Sequence, residues 1–243
     1  MALFTPSRRA FTLSALFGAG VVAAGCTASL AAEQGIVIPA PASDARAASG
    51  STMETAVLAG GCFWGVQGVF QHVQGVSNAV SGYAGGSANT ANYETVGSGD
   101  TGHAEAVRVT FDPQKISYGR LLQIYFSVAH NPTELNRQGP DSGTQYRSTI
   151  FPTTAEQARV ARSYIEQLNQ SKAFGRQLAT SVELSKNFYP AEAYHQDFLT
   201  LHPTYPYIVI HDLPKVAELK RLFPSVYSAT PVLVGSATRP LVK

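Results

Sequence analysis

One thiol stands out by its neighbours. Cys62 lies in Gly60-Gly61-Cys62-Phe63-Trp64-Gly65, where a short β-prone run ends at two glycines and a helical pattern begins. A cysteine attacks as its thiolate, and the unpaired N–H groups at a helix start favour an anion. The spacing therefore predicts a nucleophilic thiol whose pKa is lowered by the helix end. Gly60 and Gly61 would let the backbone turn sharply and leave room for a ligand. Phe63 and Trp64 would line an apolar pocket beside the sulfur, or else belong to the core.

A second cluster is Tyr93 with Gly102-His103-Ala104-Glu105. Residues 103–111 alternate, so Glu105 shares a face with His103 and Val107. A carboxyl held on an apolar face keeps its proton near neutrality and can act as a general acid; on a solvated face it does neither. His103-x-Glu105 has the form seen in zinc deaminases, but the Pro-Cys-x-x-Cys that would complete such a site is absent. Nothing else in the chain asks for a metal or a cofactor. The third cluster is the polar stretch 130–148, which holds Asp141 and Tyr146 and is either plain surface or site-building loop.

The elements that must position these groups follow from periodicity. Residues 54–59 read as a strand, 62–70 as a helix and 77–83 as a strand. Residues 103–111 form a strand, and Ser117 caps a helix through Val128. Tyr146–Phe151 reads as a strand, 154–170 as a long helix and 181–184 as a short extended piece. Helical stretches follow at 191–201 and 214–223. Strands alternating with helices give an α/β, or two-layer α+β, domain in which a mixed sheet is covered by helices.

The chain is 243 residues long, 44% hydrophobic and 14% charged, with a net charge of +2. Both surplus charges are Arg8 and Arg9; without residues 1–26 there are 16 basic and 16 acidic residues. A neutral body argues against nucleic acid as a partner. Residues 1–26 combine the arginine pair with an apolar run from Phe11 to Ala24, the build of an export signal of twin-arginine type. That places the mature protein in the periplasm or otherwise outside the cytoplasm. The run is short for a membrane span. Ala23-Ala24-Gly25-Cys26 resembles a lipoprotein cleavage box in which Cys26 would carry a lipid anchor, although Ala23 stands where such boxes usually have Leu. Residues 27–52 are rich in Ala, Ser and Pro and read as a flexible linker. The catalytic domain is expected over 53–224, with a weakly patterned tail over 225–243.

Gly61-Cys62-Phe63-Trp64-Gly65 resembles the signature of the A-type peptide methionine sulfoxide reductases. The likeness continues through 82–86, 93–96 and 102–107, the whole stretch 130–148, and Phe188-Tyr189-Pro190-Ala191-Glu192-Ala193-Tyr194-His195-Gln196-Asp197. Several ordered motifs at consistent spacing are specific where any one alone is not. The resemblance implies a ferredoxin-like core. It implies reduction of the S epimer of methionine sulfoxide, in oxidised proteins or as the free amino acid. Cys62 would be the nucleophile and become a sulfenic acid, and Glu105 the general acid. Tyr93 and Tyr146 would hold the sulfoxide oxygen, Asp141 would support that polar side, and Phe63 and Trp64 would hold the methyl group. Many relatives carry a second, resolving cysteine, often in the tail. Here residues 63–243 contain none, so the expected reductant is external, a thioredoxin-like protein or a small thiol. Two other classes remain on residues alone: a Cys–His hydrolase pairing Cys62 with His195, and a non-catalytic exported binding module.

Overall fold

The computed structural model describes residues 34–46, 52–184 and 186–234. The export signal with Cys26, linker residues 27–33 and 47–51, and the last nine residues of the tail lie outside them. The first strand, β1 (Glu54–Ala59), runs into the Gly60-Gly61 turn and helix α1 (Phe63–Gln71). Then come β2 (Val76–Ala84), the short helix α2 (Tyr93–Val96), β3 (Ala104–Phe111) and α3 (Tyr118–Ile124). Ser117 caps α3 as expected, its Oγ accepting from Arg120 N–H, and a π-helical turn over Tyr125–Ala129 extends the helix. Two-residue strands β4 (Arg137–Gln138) and β5 (Asp141–Ser142) pair with each other. The remainder is β6 (Thr149–Phe151), α4 (Ala155–Gln170), β7 (Ser181–Val182), β8 (Phe188–Pro190), α5 (Phe198–Leu201) and α6 (Leu213–Leu222).

The main sheet has the order β7-β6-β1-β3-β2-β8. Its central four strands are antiparallel in the order β6-β1-β3-β2, the arrangement of a ferredoxin-like core, and the parallel pair β6–β7 makes the sheet mixed. Because side chains alternate along a strand, β3 sends Val107, Val109 and Phe111 to one face, where α1, α3, α4 and α6 build the large core. The other face carries a small cluster of Val57, Ala59, Ala84, Ala104, Ala106 and Phe151. The helices thus form one layer on one face.

The structure differs from the sequence reading at four places. The helical stretch expected over 191–201 is a 3₁₀ turn (Ala193–His195) followed by the four-residue α5. Tyr146 is not in a strand; it closes a 3₁₀ turn (Thr144–Tyr146), and the strand begins at Thr149. Where it is described, the linker is not free of the body. Ile38 is buried, Gln123 Nε2 donates to Ile38 O at 2.8 Å, Tyr164 Oη to Pro39 O at 2.7 Å, and Gly119 N to Asp44 Oδ1 at 2.7 Å. This strap has no strand or helix period because side chains of α3 and α4, not a neighbouring strand, satisfy much of its backbone. The described part of the tail docks as well, but by backbone hydrogen bonds: Ser228 N donates to His72 O at 2.7 Å and Val232 N to Gln71 O at 2.9 Å, both at the end of α1.

Candidate active site

The turn from β1 into α1 sets Cys62 at the position just before the helix. Gly61 has φ +83°, and a Cβ there would come within 2.5 Å of Gln138, so only glycine fits the turn. The next N–H of the helix start, that of Phe63, donates to Glu105 Oε2 at 3.0 Å. This bond ties the β3 carboxyl to the residue after the thiol. Cys62, Phe63, Trp64, Tyr93, Glu105, Asp141 and Tyr146, the seven residues singled out in the sequence, line one pocket of about 200 Å³. Five different stretches of chain contribute to it.

Two further lining residues, Tyr205 and Tyr207, escaped sequence reasoning. Tyr207 Oη donates a short hydrogen bond to Asp141 Oδ2, which fixes the carboxylate on the pocket wall. Tyr205 and Tyr207 both meet Trp64 edge-on, with centroids 6.1 Å apart, and Phe198 stacks on the indole at 3.8 Å. The one available signal was Tyr205-Pro206-Tyr207 itself, two aromatics bracketing a turn former in a stretch without helical period.

Burial governs the acid–base balance. Glu105 is 4% exposed, and its desolvation, with the nearby Asp141 and Asp212 carboxylates, pushes its pKa up to about 8 against the lowering effect of the Phe63 N–H bond. At neutral pH it holds its proton. Cys62 departs from the sequence expectation. The helix end is present, and the Trp64 N–H does favour the thiolate, but burial outweighs it and the Glu105 and Asp212 charges add to burial, so the thiol pKa lies well above its ordinary value. Sequence reasoning saw the helix end and missed the depth of the pocket. Burial and neighbouring carboxylates also push Tyr93 and Tyr146 up, so both phenols remain O–H donors.

His195 does not pair with the thiol. Its Nδ1 accepts from Trp64 Nε1 at 3.3 Å, its Nε2 has no hydrogen-bond partner, and its ring lies between those of Phe63 and Tyr93. It braces the aromatic side of the pocket, and the oriented base that a Cys–His hydrolase needs is missing. Among the described residues no group of His, Cys, Asp and Glu has the arrangement to hold a metal ion.

Residues 54–225 match the family model described as peptide methionine sulfoxide reductase. The chain belongs to the peptide methionine sulfoxide reductase family. It is 67% identical over 195 residues to peptide methionine sulfoxide reductase MsrA 2 of Mesorhizobium japonicum, a match covering 80% of this chain and 99% of that relative. Methionine sulfoxide reductase A of Corynebacterium diphtheriae superposes with a TM-score of 0.58 at 30% identity, covering 73% of this chain and 91% of that one. Mxr1 from Saccharomyces cerevisiae in its reduced form gives 0.58 at 32%, covering 66% and 91%. The protein is therefore an oxidoreductase that reduces methionine sulfoxide. In this reductase the family match begins at Glu54, beyond the docked strap 34–46, and the matched region holds a single cysteine, Cys62.

Proposed function

We propose that the reductase acts on the S epimer of methionine sulfoxide, in oxidised proteins and as the free amino acid, through a Cys62 sulfenic acid. The observation that supports this reading is the convergence in one small pocket of a thiol, a protonated carboxyl, phenol donors and two aromatic rings. The substrate methyl group packs on Phe63 and Trp64. The sulfoxide oxygen faces Glu105, Tyr93 and Tyr146, with Asp141 on the polar wall. Both reacting side chains rest neutral, which is the state a dry pocket favours. Glu105 gives its proton to the sulfoxide oxygen and takes the thiol proton as Cys62 attacks the sulfur. The substrate S–O bond breaks and an S–O bond on Cys62 forms. Methionine leaves reduced by two electrons, and Cys62 is oxidised by two, to S–OH.

Recycling needs two thiol equivalents. The first forms a mixed disulfide with Cys62 and releases water; the second releases a disulfide and restores the thiol. With no cysteine after residue 62, we assign both to an external donor, a thioredoxin-like protein or a small thiol. The twin-arginine-type start supports repair outside the cytoplasm, with Cys26 cleaved off, lipidated or retained. The test is turnover without reductant. The S epimer should yield one methionine per Cys62, with the mass of one oxygen on the Cys62 peptide. Lack of product, or product equally from the R epimer, overturns the reading. A Cys26–Cys62 disulfide overturns the external-donor step. The N-terminal mass of protein from the periplasmic fraction checks export.

A further inference from the structure

One phenol of the pocket stands on slender support. Tyr93 is the first residue of α2, a helix of four residues in which only Val96 is buried. Tyr93 itself is 40% exposed. A helix this short gains little from its own hydrogen bonds, so its place is set by what it is tied to. Asn92 caps it locally, Oδ1 accepting from Thr95 N at 3.1 Å. The tie from its first residue to the sheet comes from Glu192, which is not itself on the pocket wall.

Glu192 uses both carboxylate oxygens. Oε1 accepts from Tyr93 N at 3.0 Å, and Oε2 accepts from Tyr83 Oη at 2.9 Å. Tyr83 is fully buried on β2, directly across the ladder from Glu105 on β3. One side chain thus bridges the strand beside the acid and the backbone of the phenol. The sheet places Glu192 in turn: it follows β8, which pairs with β2, and Ala191 N donates to Ser81 O at 2.9 Å. The 3₁₀ turn that Glu192 opens also presents His195, whose ring lies 4.5 Å from that of Tyr93. This turn therefore grips Tyr93 at the backbone and at the ring.

We propose that Glu192 is a positioning residue for catalysis, which couples α2 to the sheet and so holds the Tyr93 hydroxyl in register with Glu105 for the sulfoxide oxygen. It acts through Tyr93 and touches no substrate. The argument rests on the reading of Tyr93 as a donor to that oxygen. Burial opposes a charge on Glu192, but the N–H of Tyr93, its own N–H and the Tyr83 hydroxyl outweigh it and hold its pKa below the ordinary carboxyl value. Both bonds therefore end on a carboxylate, which makes them the stronger, charge-assisted kind.

A double-mutant cycle on the full chain tests the coupling, with kcat and KM for methionine sulfoxide measured at saturating thiol. Tyr93→Phe should lower kcat. Glu192→Ala should lower kcat about tenfold with KM nearly unchanged, because a displaced donor is felt mainly in the transition state. In the Tyr93→Phe background the same Glu192→Ala change should cost less than about twofold, since the hydroxyl it positions is gone. Glu192→Gln keeps an oxygen for the Tyr93 N–H and should stay within about threefold of wild type. Hydrogen exchange at residues 93–96 should quicken in Glu192→Ala and stay slow in Glu192→Gln. An equal fall in both backgrounds, or no fall in Glu192→Ala while Tyr93→Phe is slowed, overturns the proposal and leaves the role of Tyr93 standing. Full kcat in Tyr93→Phe overturns that role and the proposal with it. Should Glu192→Ala fail to fold, Tyr83→Phe cuts the same link by one hydroxyl, and the same cycle with Tyr93→Phe decides.

Discussion

The pocket has two walls built in different ways. One comes from the β1–α1 turn and β3 and carries Cys62, Phe63, Trp64 and Glu105. Its backbone is held by the sheet ladder and by the Phe63 N–H bond to Glu105. The other comes from irregular chain and carries Asp141, Tyr146, Tyr205 and Tyr207. It is held by local turns and side chains: Gly143 N donates to Asn136 O at 2.9 Å, Tyr146 N to Gly143 O at 3.1 Å, and Arg147 to the carbonyls of Gly102, His103 and Thr144. The sulfur and the acid, whose separation decides whether a proton and a bond can move together, sit on the stiffer wall. The looser wall carries groups that orient by hydrogen bonds, whose geometry tolerates more variation.

Breaking the stiff wall should cost most. Glu105→Gln keeps the shape and the Phe63 bond but removes the transferable proton, so kcat/KM for methionine sulfoxide should fall by about 10²–10⁴. In wild type the rate should decline as pH rises through about 8, where Glu105 loses its proton, and the variant should lose that limb. The same residue has a stability signature. Its folded pKa lies above the ordinary carboxyl value, so between about 4.5 and 8 the folded state binds a proton that the unfolded state has released. Stability therefore falls with rising pH by up to about 1.4 kcal/mol per unit across that window. Thermal melts should show Glu105→Gln gaining on wild type as pH is raised from 5 to 8. Equal slopes for the two proteins would remove the acid from its assigned state.

A cut in the looser wall should cost less. Tyr146→Phe deletes one of two phenol donors on the sulfoxide oxygen, and kcat should fall about a hundredfold, measured as methionine released with saturating thiol. A fall as deep as that of Glu105→Gln would mean the two walls are not distinct in the way described. The smallest catalytic effect belongs to the strap. Ile38→Ala, outside both walls, should lower stability by about 2 kcal/mol in denaturant melts and leave kcat and KM unchanged. A change in KM would tie the strap to the pocket.

The division between the walls is also the division between what could and could not be read from residues. The stiff wall was legible because its elements have a period: the alternation of 104–109 put Glu105 on the face of Val107, and Gly-Gly before an apolar helix put Cys62 at its start. The looser wall has no period. Asp141 and Tyr146 were found through motif resemblance, while Tyr205 and Tyr207 were passed over, because the chain between α5 and α6 meets the site only through tertiary packing. Periodicity also could not show how deep the pocket is. The thiol was read as acidic from its helix end, and burial reverses that.

The strap over 34–46 has a consequence for what counts as the folded unit. Its contacts are those of a peptide lying in a groove: one buried isoleucine and a row of hydrogen bonds from α3 and α4. Offered as a separate molecule, such a segment would bind weakly, since it would lose its own freedom on docking. Joined to β1 by a few residues, it is a ligand at an effective concentration on the order of millimolar. The reductase thus carries its own permanently supplied ligand, and a chain shortened to start at Glu54, where the family resemblance begins, would be the empty receptor.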